Sequence, residues 1–171
     1  TSAAHRSDVL SDFSSGIWSS VASHVLRALL LAAALCSPTA AQPISLVDDA
    51  GQKLHLPGPA RRIVALSPHV TELLFAVGAG DRVVGVDAWS NYPAAARQLP
   101  RVGDLYALDL ERIVALKPDL LIVWHNGNSQ RQLDVLRGLG LPIYFDGPRR
   151  LADIPHSLEQ MGRLAGSAAQ A

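Results

Sequence analysis

The chain has 171 residues, and its fifteen basic and fifteen acidic side chains cancel to a formal net charge of zero. That balance argues against a polyanionic partner such as nucleic acid and against an anionic membrane surface. Hydrophobic residues make up 49% of the chain, enough for a packed core in about one domain.

Residues 1–20, "TSAAHRSDVLSDFSSGIWSS", are polar and serine-rich without a period, and the only methionine of the chain is Met161. We expect this segment to be non-native or a mis-set start. Residues 21–41 carry Arg27, an apolar stretch from Ala28 to Cys36 and the small residues Thr39, Ala40 and Ala41, the layout of a cleavable signal peptide. The apolar stretch is much shorter than the roughly 20 residues that cross a bilayer. A soluble protein in the periplasm is therefore expected, with no membrane insertion after cleavage. Cys36 is the only cysteine, so the exported part has neither a disulfide nor thiol chemistry.

From Ile44 to Leu56, apolar and polar residues alternate on both sides of Asp49-Ala50-Gly51, which predicts a small hairpin ended by Pro57-Gly58-Pro59. Four short runs rich in Val, Ile and Leu follow: "RIVAL" (62–66), "RVVGV" (82–86), "DLLIVW" (119–124) and "LPIYF" (141–145). Such runs suit strands buried on both faces of a sheet. Helical patterns lie between them. "HVTELLFAV" starts after Pro68 and stops at Gly78, "LERIVAL" is capped by Asp109 and ends before Pro118, and "SQRQLDVLRGLG" stops at glycine. A last helix, capped near Asp153, carries Ile154, Leu158, Met161, Leu164 and Ala165 along one face, with little chain left to cover them. Alternating strands and helices predict an α/β fold with a parallel, Rossmann-like sheet, whose ligands bind beyond the carboxyl ends of the strands.

Catalytic motifs are missing: there is no Gly-x-Ser-x-Gly, no phosphate-binding Gly-x-x-x-x-Gly-Lys and no His-Glu-x-x-His. "GAGDRVVG" (78–85) leaves a helix and enters a strand, the reverse of a dinucleotide fingerprint, and reads as a turn. His55, His69, His125 and His156 are not spaced as metal ligands. His69 and His125 both follow strands, but two imidazoles without a carboxylate or cysteine make a poor zinc site, and no metal is expected. A small secreted α/β enzyme of hydrolase type, using His69 or His125 as base, lacks a recognisable nucleophile.

The loops after the strands carry the candidates for ligand contact. Pro68 and His69 follow the first strand, Trp89 and Tyr92 the second, and Tyr106 precedes the Asp109 helix. Trp124, His125 and Asn126 close the "DLLIVW" strand. Aromatic rings at one sheet edge offer broad apolar surface with a polar rim, suited to a large, partly hydrophobic ligand. The bland alternative is that Trp89 and Trp124 only pack between sheet and helix. Glu111, in the first turn of its helix, fits the helix dipole without further function.

"RIVALSPHVTELLFAVGAGDRVVGV", "SNYP", "RVGDLYALDLERIVALKPDLLIVWHNGN" and "LGLPIYF" resemble the substrate-binding proteins of bacterial ABC importers for vitamin B12 and ferric siderophores, the class with a helical backbone between two lobes. The resemblance covers residues 44–170 and is strongest to the cobalamin-binding members. It implies that residues 42–60 form an N-terminal hairpin, 61–150 the N-terminal ligand-binding lobe, and 151–171 the start of the interlobe helix, the second lobe being absent. It implies that cobalamin or a related metal chelate is a transported ligand rather than a cofactor, faced by Trp89 and Trp124. It also implies that Glu111 docks on an inner-membrane ABC permease. The chain departs from the cobalamin-binding pattern at Leu105, where a pocket tryptophan is usual and Tyr106 stands next door, and at His125, where an arginine is usual. Heme-binding relatives place a tyrosine after the glycine occupied here by Gly103, and this chain has Asp104. A ferric-siderophore binder on the same scaffold is the alternative.

Overall fold

The computed structural model describes residues 42–167. The expected upstream segment and signal peptide, residues 1–41, lie outside the described residues. Among those described, no helix is long and apolar enough to cross a membrane.

Strands β1 (Ile44–Val47) and β2 (Lys53–Leu56) pair antiparallel, with Leu46 opposite Leu54. The predicted alternation holds: Leu46, Leu54 and Leu56 are buried while Val47 and His55 face out. The hairpin tip lies along the main sheet. The Asp49 amide donates to the Phe145 carbonyl at 3.0 Å, and the Phe145 amide donates to the Asp48 carboxylate at 3.3 Å. An otherwise open strand edge is thereby covered.

The main sheet contains β3 (Ile63–Ala65), β4 (Val83–Val86), β5 (Leu120–Trp124) and β6 (Ile143–Asp146), all parallel, in the order β4-β3-β5-β6. Helix α1 (Pro68–Ala76) links β3 to β4; α2 (Leu110–Ala115) precedes β5; α3 (Gln130–Gly138) links β5 to β6; and α4 (Ile154–Ala165) follows β6. Two apolar layers result. Val70 and Leu74 of α1 and Met161, Leu164 and Ala165 of α4 pack with Ile63, Ala65, Leu120, Ile122 and Tyr144 on one face. Ile113 of α2 and Leu133 and Leu136 of α3 pack with Val64, Leu121, Val123 and Phe145 on the other. Strands clad on both faces require the near-continuous apolar runs seen in the sequence.

Two helix ends follow the expected chemistry: the Asp109 carboxylate accepts from the Arg112 amide at 2.9 Å, and Gly78 leaves α1 at φ +71°. The expected cap at Asp153 does not form on α4, because its carboxylate accepts from the Arg149 and Arg150 amides instead. A second expectation also fails. The apolar face of α4 is not left uncovered, because Met161, Leu164 and Ala165 have no exposed surface and lie against α1 and the sheet. The sequence pattern marked the face correctly but could not show that α1, some ninety residues upstream, covers it.

Candidate functional site

The strand order places the site. The chain leaves β3 for β4 on one side and later fills β5 and β6 on the other, so the direction of winding reverses between the neighbours β3 and β5. The loops leaving these two strands diverge and open a crevice at their carboxyl ends. His69, in the first turn of α1 after β3, and Trp124, the last residue of β5, meet across that crevice. Their ring centroids are 5.9 Å apart and their planes 83° from parallel. With Glu72, Leu73, Pro148 and Ile154 they line a cleft of about 350 Å³. A cavity of about 270 Å³ lies at the opposite sheet edge, between Leu56 and Asp119. Volume does not separate the two, but only the first has aromatic rings and stands where parallel sheets bind ligands.

Behind His69 lies a buried acid. Asp146 ends β6 with no exposed surface, and neither of its carboxylate oxygens accepts a hydrogen bond. Nε2 of His69 lies 3.3 Å from Oδ2 but is poorly aligned for a hydrogen bond. Nδ1 of the same ring lies 3.1 Å from Ser67 Oγ. Serine, histidine and aspartate are thus in a row, yet the row is not a hydrolase triad. In a triad the serine faces Nε2 and the acid Nδ1, whereas here the order is inverted. Ser67 is 4% exposed, which bars a substrate from its hydroxyl.

The Trp89 loop is pinned from beneath. Asp87, buried, accepts from the Trp89 amide at 2.8 Å, and the Arg101 guanidinium donates to the carbonyls of Asp87 and Ser90 at 3.1 and 2.7 Å. Ser90 Oγ and Thr71 Oγ1 of α1 are 2.9 Å apart. Burial pushes the Asp87 carboxyl above its ordinary range, against the lowering effect of the Trp89 amide. Held this way, Trp89 remains 68% exposed and Tyr92 likewise. An exposed Trp89 contradicts the reading in which it merely packs between sheet and helix. Tyr106 is 85% exposed on a turn closed by the Asp104 carboxylate, which accepts from the amides of Tyr106 and Ala107. Gly103 starts that turn at φ +99°, where a Cβ would collide with the Ala107 carbonyl.

The expected residues do not all share one surface. Pro68 is the first residue of α1, beside His69, and Asn126 is exposed in the loop after β5. His125 stands on the other side of the sheet from the His69 cleft, its ring edge-on to Phe145 at 6.1 Å. Its Nδ1 is buried without a partner, and the two histidines form no joint site. Among the described residues no group of three or more His, Cys, Asp or Glu could hold a metal ion. Glu111 is exposed in the first turn of α2. Ser67, Asp87, Arg101 and Asp146 escaped notice in the sequence. The one available signal was Asp146, an acid closing an apolar run that the fold buries.

Comparison with known proteins agrees with this architecture. A family model described as "Periplasmic binding protein" matches residues 63–171. The vitamin B12-binding protein of Yersinia pestis (strain Pestoides F) is 42% identical over 112 residues, which cover 66% of this chain and 40% of that protein. The crystal structure of the periplasmic vitamin B12 binding protein of Vibrio cholerae superposes with a TM-score of 0.62 at 39% identity, over 66% of this chain and 44% of that one. A periplasmic heme-binding protein from Pseudomonas aeruginosa gives 0.61 at 29% identity, over 65% and 40%. The matched part of the chain spans between 40% and 44% of the length of these relatives, and its four-stranded sheet and hairpin correspond to one of their lobes. It belongs to the periplasmic binding protein family, a family of binding proteins rather than enzymes.

Proposed function

We propose that this lobe contributes one wall of a binding site for cobalamin or a related corrinoid, captured in the periplasm for delivery by an ABC importer. The observation that carries the reading is the exposure of Trp89, Tyr92 and Tyr106 on loops, and of Trp124 at the end of β5, around one sheet edge. Four exposed aromatics on rigidly held backbone are costly for solubility, and a large ligand with apolar faces rewards them. The similarity to vitamin B12-binding proteins of Yersinia pestis and Vibrio cholerae supports the corrinoid in particular. In this reading residues 21–41 direct export. The opposing wall comes from a second lobe, and exposed Glu111 helps dock the loaded protein on the permease.

Another planar or bulky metal chelate, heme or a ferric siderophore, is the second reading, favoured by the similarity to a heme-binding structure. The purified chain, titrated in parallel with cyanocobalamin, heme and a ferric hydroxamate while tryptophan emission is followed, separates them. Saturable quenching by cyanocobalamin alone, weakened in Trp89→Ala, is the expected result. Saturation by heme or the siderophore alone replaces the corrinoid reading.

A further inference from the structure

We propose that Asp146 is a positioning residue: through His69 it fixes the Trp124 ring as a wall of the crevice. The inference rests on reading this crevice as the ligand site, but its first test needs no ligand.

The buried Asp146 carboxylate has no hydrogen-bond donor, and unmatched buried polar groups cost stability unless a partner is brought to them. The His69 imidazole approaches Asp146 through Nε2 and Ser67 through Nδ1. Nδ1 is within hydrogen-bond distance of Ser67 Oγ, while Nε2 faces the carboxylate without forming an aligned hydrogen bond. A rotation that brings Nε2–H into line with Oδ2 would hold the imidazole at both nitrogens and keep it from flipping. With Nε2 carrying the proton, Ser67 Oγ–H donates to Nδ1; with both nitrogens protonated, the ring donates to both partners. Either state keeps the same ring plane.

That plane decides what Trp124 can do. His69 meets Trp124 edge to face, the arrangement that aromatic quadrupoles prefer, at 5.9 Å. Trp124 and Asp146 are partners in the β5–β6 register, so their side chains leave the same face of the sheet. The acid, the imidazole and the indole thus form a single stack running from the edge strand to the crevice. Trp124 is 38% exposed, much less than Trp89 at 68%, and the His69 ring lies against it. Trp89 depends on a pinned backbone loop, whereas Trp124 depends on a side-chain strut.

The test uses the full chain with Trp18→Phe and Trp89→Phe, which leaves Trp124 as the sole tryptophan. Time-resolved anisotropy of the unliganded protein reports how freely the indole moves. Asp146→Leu and His69→Leu are expected to add a fast, large-amplitude component, whereas Asp146→Asn and His69→Gln, which keep an acceptor and a donor, are expected to restore the slow decay. Unchanged decay in both leucine variants overturns the proposal. His69→Leu sits at a partly exposed position, so it carries the test if Asp146→Leu fails to fold. Cyanocobalamin is then titrated into the chain with native tryptophans. A loss of about tenfold or more in affinity for His69→Leu, with recovery in His69→Gln, is expected. A mobile indole with unaltered affinity would leave the strut standing and instead refute the crevice as the ligand site.

Discussion

The two ends of the central sheet are built to opposite rules. At the amino end of β3, the Asp119 carboxylate accepts from the amides of Arg61 and Arg62 at 2.8 and 2.9 Å, and the Arg62 guanidinium donates to the carbonyls of Leu116 and Lys117. The Asp119 and Arg62 side chains there are matched within the chain, although Ser167 Oγ, next to Gly166 at the same end, is buried without a partner. At the carboxyl end the Asp146 carboxylate and His125 Nδ1 lack hydrogen-bond partners, and aromatic rings face outward. A protein that only needed to fold would match both ends alike, because unmatched buried polar groups cost stability. In the proposed function the carboxyl end, with its unmatched acid and outward rings, is the one that meets another molecule.

Substitutions can break this contrast. The largest loss of stability is expected from Asp48→Ala, since this carboxylate accepts from Ala50, Gln52 and Phe145 and joins the hairpin tip to β6. Removing it leaves the Phe145 amide without its partner and should cost about 2–3 kcal/mol in denaturant unfolding. Asp119→Ala, at the matched end, should cost about 1–2 kcal/mol in the same measurement, with its two freed amides able to reach water. Trp89→Ala should behave the opposite way. Stability stays within about 0.5 kcal/mol, because the ring is mostly exposed, while cyanocobalamin affinity falls about tenfold in a fluorescence titration.

Asp87 gives a pH-dependent version. Its folded pKa is raised above the ordinary 3.8 by burial, so folding favours the protonated form. The stability it contributes is fully present below the unfolded value and is lost as pH rises through the folded one. Asp87→Asn keeps an acceptor for the Trp89 amide and removes the buried charge. Thermal melts should show it more stable than the parent at pH 7, an advantage that disappears near pH 3. The smallest effect belongs to Glu111→Ala, a loss of about 0.3 kcal/mol from the first turn of α2. A larger fall in delivery to the importer than in stability would support the docking role.

Short apolar runs, helix stops at glycine and proline, and the cap at Asp109 sufficed to read the strands, helices and parallel class from the chain, because each is a local consequence of residue type and spacing. The exposed aromatics were legible for the same reason: Trp89 and Tyr106 sit in segments that no period claims. The pairing of His69 with Asp146 was not legible, since 77 positions separate them and strand order alone brings α1 over the end of β6. Nor could spacing show that His125 and His69 part to opposite faces, or that α4 covers its apolar side with α1. Sequence by itself determined which segments form elements and which loops carry rings. The tertiary structure decided which groups meet, because contact across a sheet depends on strand order and facing, and neither is written in any local window.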